Sequence, residues 1–71
     1  MTRKFNVIIE RDADGYYVGT IPELRGCHSQ ALSLDELMIR IREAAELCLE
    51  AQADGIEQLD FIGVQTISVA S

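Results

Sequence analysis

The run Ser33–Gly55, SLDELMIRIREAAELCLEAQADG, decides how the rest of the chain must be arranged. At ~100° per residue, Leu34, Leu37, Met38, Ile41, Ala44, Ala45 and Cys48 gather into one stripe, with Leu49 at its edge. Asp35, Glu36, Glu43, Glu46 and Glu50 fall on the opposite side. The pattern predicts one long amphipathic helix. Ser33 is placed to cap it, and Glu36 at the third helical position completes a capping box, with Leu32 positioned to staple onto Leu37. Asp35 and Glu36 put negative charge at the positive end of the helix dipole. Asp54-Gly55 supplies a left-handed stop. Ile39 and Leu47 break the pattern, at about 140° and 220° from Leu34. Isolated apolar side chains are ordinary on a surface. The same pair is also what a second chain would dock against, which makes Ile39 and Leu47 the candidates for an oligomer interface.

One helix with an apolar stripe needs a sheet to cover it, and the flanking segments read as strands. Lys4–Glu10 alternates, with Phe5, Val7 and Ile9 on one face. The turn Arg11-Asp12-Ala13-Asp14-Gly15 follows, its Asp14-Gly15 step a strong hairpin signal. Tyr16–Ile21 returns as a second strand. Gly19 in its middle predicts a bulge or a close backbone approach, and Tyr16 and Tyr17 face opposite sides. Pro22 ends that strand because it has no N–H to give a ladder. Gly26 turns the chain into a short third strand, Cys27–Gln30. Beyond the helix, residues 56–60 link to a closing strand, Phe61–Val69. Its alternation slips: Ile62 and Val64 share one parity, Ile67 and Val69 the other. Either a bulge near Gln65-Thr66 or pairing of the last residues with a second chain reconciles them.

The 71 residues are enough for one domain, 1–71, with a small core. A chain of this length buries only about 60% of its unfolded surface, and small domains lean on disulfides, metals or a neighbour. Two cysteines, Cys27 and Cys48, are too few for a disulfide scaffold, and a single His with no zinc-type spacing excludes a metal-built fold. A neighbour remains, so a homodimer or homotetramer is expected. No apolar run reaches membrane-spanning length, and the N-terminus MTRKFNVII enters a strand pattern without an export signal. With free cysteines, this points to the cytoplasm. Twelve carboxylates against six Lys and Arg, a net charge of −6, argue against direct nucleic-acid binding and favour a basic protein partner.

From DGYYVGTIPELRGCHS through the DEL helix to Glu50, the chain resembles the HicB-like antitoxins, the UPF0150 type. The matching pieces are an opening strand, a DGYY hairpin, a Pro-acidic-Leu-x-Gly-Cys segment, a polar strand and a helix, in that order. The resemblance implies an α+β fold of β-β-β-α-β order, a small antiparallel sheet with one long helix across one face, often dimeric or tetrameric. It also implies a job: binding a small basic HicA-type toxin that cleaves mRNA, with no cofactor and no reaction of the antitoxin's own. Ala31-Leu32 stands where relatives commonly carry Gly. The chain is expected to be a short form without the C-terminal helix-turn-helix or ribbon-helix-helix domain that reads an operator, so a transcriptional role is not expected.

Two places in the sequence carry residue types suited to chemistry. His28 lacks an orienting group and a pocket in sequence, and no nucleophile elbow, phosphate loop or HExxH spacing is present. The fold implied by the resemblance has been likened to part of a ribonuclease H core, which raises a nuclease reading through Glu10, Asp12, Asp14 and Glu23. Acidic residues around a turn normally face water, and that reading is set aside. The expectation is a noncatalytic module that masks a basic toxin, with Tyr16, Glu23, Leu24 and His28 as its contacts. The alternative is a self-assembling structural or regulatory module without a toxin.

Overall fold

The structure, a computed structural model, describes residues 3–51 and 59–70. Three strands, β1 (Ile8–Arg11), β2 (Tyr17–Thr20) and β3 (His28–Ala31), precede one helix, α1 (Leu34–Ala51). The sheet is antiparallel in the order β1-β2-β3. It is the expected α+β arrangement of three strands and a helix, and α1 packs on β2 and β3 but not on β1.

Local chemistry sets each junction. In the first hairpin, Asp12 Oδ1 accepts the Asp14 and Tyr16 backbone N–H groups at 3.0 and 2.9 Å. Gly15 takes φ +88°, a left-handed value that a Cβ disfavours. The β1–β2 register runs without interruption from Ile8↔Thr20 to Arg11↔Tyr17, so Gly19 sits in no bulge. It marks a close approach instead. A Cβ there would meet Val7 Cγ1 at 3.2 Å and both Leu37 methyls at 3.4 Å.

The expected first strand, Lys4–Glu10, pairs only from Ile8 onward. Its partner leaves the ladder at Ile21, because Pro22 cannot donate and the chain folds into two successive turns. Leu24 N–H donates to Ile21 O at 3.1 Å, and Cys27 N–H to Leu24 O at 3.0 Å. These turns drive Leu24 and Cys27 into the core beside Ile21 and Ile41. The orphaned Asn6 finds the Glu23 carboxylate, which accepts its backbone N–H at 3.2 Å and its side-chain Nδ2–H at 3.1 Å.

Helix α1 begins as its sequence directs, with Glu36 N–H donating to Ser33 Oγ at 3.2 Å. The return half of the capping box does not form, because the Glu36 carboxylate is taken by Arg40 at 2.7 Å. Leu32 stays 65% exposed and adds little as a staple. Leu37 and Ile41 are the helix residues fully buried. Leu34 and Met38, on the same stripe, are exposed, since the sheet covers only part of the apolar face. The expected stop at Asp54-Gly55 lies outside the described residues. The expected closing strand is different too. Residues 59–70 run without a turn or bend and enter no ladder, so the backbone is extended but unpaired.

Candidate partner-binding surface

With α1 covering one face of the sheet, side-chain alternation assigns the other face. Val7, Gly19 and Ile21 stand on the helix side. The residues of opposite parity therefore point away from it. They form two rows across the three strands, Ile8–Thr20–His28 and Glu10–Val18–Gln30, with Tyr16 beyond the second row at the hairpin end. Adjacent members of a row lie about 5 Å apart and successive rows about 7 Å. No described helix or strand packs over them: Ile8, Glu10, His28 and Gln30 are exposed, and Tyr16, Val18 and Thr20 half-buried. The face combines two aliphatic groups, a ring at one end, an imidazole at the other and a single carboxylate, a mixture suited to a protein partner.

The four expected contact residues separate into two kinds. Tyr16 is half-buried and His28 exposed, at opposite ends of this face. His28 Nδ1 lies 3.0 Å from Gly26 O. A carbonyl only accepts, so Nδ1 carries the proton and Nε2 is offered outward. Leu24 and Glu23 are instead consumed by the fold, at 1% and 8% exposure. The Glu23 side chain holds Asn6, and its carbonyl accepts the Leu59 N–H at 3.1 Å. Sequence reasoning missed Val18, Thr20 and Gln30 because strand register, which places them beside His28, is a property of the pairing. Ile39 and Leu47 are exposed on the helix side of the molecule, among the carboxylates of the outer face.

Ser29, next to His28, belongs to the opposite parity. Asp12 is occupied in capping its turn. Among the described residues no group of three or more His, Cys, Asp or Glu side chains is close enough to hold a metal ion. No described helix is long and apolar enough to cross a membrane.

A second surface lies beside residues 3–7, which lead into β1. An open groove of about 390 Å³ runs between residues 3–7 and α1, with Phe5, Val7, Met38 and Ala45 on its floor and Arg3, Lys4 and Arg42 at its rim. Arg3 stacks over the Phe5 ring at 5.1 Å.

The two thiols are packing groups. Burial, and secondarily a hydrogen bond with Cys48, pushes the Cys27 thiol from 9.0 up to about 12. The folded chain thus keeps this proton where the unfolded chain loses it, and the stabilisation present below pH 9 drains away as pH rises toward 12. Two results are expected. Iodoacetamide at pH 8 leaves Cys27 unmodified until the chain is unfolded. The urea midpoint falls between pH 9 and 11 more steeply in the native chain than in Cys27→Ala.

A family described as the HicB-like antitoxin of bacterial toxin–antitoxin systems matches residues 5–68. A UPF0150 protein of Archaeoglobus fulgidus is 56% identical over 66 residues, 93% of this chain and 94% of the relative. A UPF0150 protein of Synechocystis is 48% identical over 94% of this chain and 96% of its own length. One from Thermotoga maritima is 36% identical over 92% of this chain and 88% of its own.

Proposed function

The chain belongs to the HicB-like antitoxin family, and on that premise we propose that it binds and masks a small basic HicA-type, mRNA-cleaving toxin. The observation that carries this reading is the uncovered sheet face. Its rows Ile8–Thr20–His28 and Glu10–Val18–Gln30, closed off by Tyr16, offer a rigid platform with apolar centres and polar ends. Family membership supports an antitoxin role in general; the face supports a partner that is a folded protein. The chain's charge of −6 supports a basic one, because complementary charge accelerates and selects encounter. The mechanism is steric. The antitoxin supplies no reaction of its own, and covering the toxin's RNA-binding surface suffices.

In this reading the protein works in the cytoplasm, where mRNA is, as a homodimer or homotetramer. Ile39 and Leu47 are the helix residues available to join copies on the side away from the toxin. Co-expression with the small Lys- and Arg-rich protein encoded beside its gene tests the reading. The expected result is recovery of growth and a co-purifying complex with a submicromolar Kd. No complex at tens of micromolar, with both proteins folded, would overturn it.

A further inference from the structure

Two features of the described chain are unpaired, and they match each other. Residues 59–70 run extended and enter no ladder, with Ile62, Val64, Ile67 and Val69 between 74% and 92% exposed. Strand β1 pairs with β2 on one side only, so its other edge presents backbone N–H and C=O groups with no ladder partner. We propose that residues 61–70 of one protomer add as a fourth strand to the free β1 edge of a second copy, reciprocally, so that two chains exchange their C-terminal segments. This rests on the homo-oligomer reading above, with the β1 edge in place of Ile39 and Leu47 as the joining surface; it does not depend on the toxin.

The dimensions are compatible. Residues 61–70 span ~33 Å as a strand, enough to cover the four-residue edge of β1, ~13 Å, and to run on past residues 3–7 that precede it. The side chains agree as well. Strand β1 carries an exposed apolar side chain on each face, Ile8 on the outer face and Ile9 on the helix face. The exchanged segment has the same character. Ile62 and Val64 share one parity and Ile67 and Val69 the other, so the slip in its alternation needs no bulge when each pair lies over a different face.

Packing supplies a reason for the exchange. Helix α1 does not reach β1, and the apolar stripe leaves Met38 and Ala45 facing the open groove. A fourth strand beside β1 brings apolar side chains up to that groove. Charge supplies a second reason. A chain of net charge −6 repels its copy, yet residues 61–70 contain no charged side chain, and the edge they approach carries Arg3, Lys4 and Arg11 against the single carboxylate of Glu10. The segment begins fixed, through Leu59 N–H to Glu23 O, and then leaves its own body. A two-fold axis lets each departing segment complete the other chain's sheet.

The test uses the full chain with p-benzoylphenylalanine in place of Val64, refolded as a mixture of 14N- and 15N-labelled copies. The expected result is a species of twice the 7.9 kDa chain mass by light scattering, with mixed-isotope cross-links joining residues 61–70 to residues 3–11. Ile67→Asp is expected to weaken the dimer at least tenfold while leaving helical circular dichroism intact. Cross-links within one chain, between two C-terminal segments, or to α1 near Ile39 and Leu47 overturn the exchange but leave a homo-oligomer standing. A monomer at tens of micromolar overturns both.

Discussion

Leu37→Ala is expected to remove most of the chain's folding stability at 25 °C. Leu37 is completely buried, and it sits where α1 comes closest to the sheet, its two methyls against the backbone of Gly19. Truncating a buried Leu to Ala costs ~2–5 kcal/mol, through lost burial and the cavity left behind. A domain of this size rarely holds more than ~3–5 kcal/mol in all. The substitution therefore removes most of the margin. The neighbours are poorly placed to collapse into the space, because Gly19 has no side chain to move and Val7 already contacts it. If ~3 kcal/mol is lost, Tm falls by roughly 12–24 °C, since 1 kcal/mol shifts Tm by ~4–8 °C in a domain of 60–100 residues. Far-ultraviolet circular dichroism at several chain concentrations reads the result, because association restores stability by mass action. A midpoint within two or three degrees of the native chain would show that the helix–sheet seam is not the keystone described here.

What the sequence revealed, and what it hid, divides along a physical line. Most local signals were legible: the 3.6-residue stripe that fixes α1, Ser33 as its cap, the Asp14-Gly15 hairpin and, as one of two readings, the close approach at Gly19, whereas the return half of the capping box and the Leu32 staple did not form. Each depends on a few neighbouring residues. Interactions set by the third dimension were not. The first strand is cut back to Ile8 because its partner turns away after Ile21, and Glu23 replaces the missing ladder by holding Asn6. A sequence pattern does not carry that substitution. Glu23 and Leu24 look like exposed loop residues after a proline, yet the double turn carries both inward. The stripe on α1 is wider than the sheet beneath it. That leaves Met38 uncovered, a mismatch that appears only once the strands are counted in space. The candidate face was half legible: Tyr16 and His28 stood out by residue type, whereas Val18, Thr20 and Gln30 join them only through register.

That division makes the second large effect a matter of two different kinds of loss. Tyr16→Ala and His28→Ala are expected to leave Tm within a few degrees of native while weakening the toxin complex roughly 30-fold or more each. That factor corresponds to the ~2 kcal/mol of an interface anchor. Both side chains lie on the sheet face away from α1, neither belongs to the buried cluster, and removing either leaves the helix–sheet core as it was. Leu24→Ala should do the reverse. At 1% exposure, Leu24 offers a partner almost no surface, so its truncation lowers stability by ~2–5 kcal/mol. The molecules that remain folded then bind with native affinity. Titration calorimetry distinguishes the cases, since loss of affinity changes Kd whereas loss of folded chain lowers the apparent stoichiometry. If Leu24→Ala kept its Tm and lost binding, the turn after Pro22 would have to open to meet the toxin. If the Tyr16→Ala/His28→Ala double variant bound as tightly as the native chain, the uncovered sheet face would not be where the toxin sits. The acidic outer side of α1, with Ile39 and Leu47 set among its carboxylates, would then be the surface that receives a basic partner.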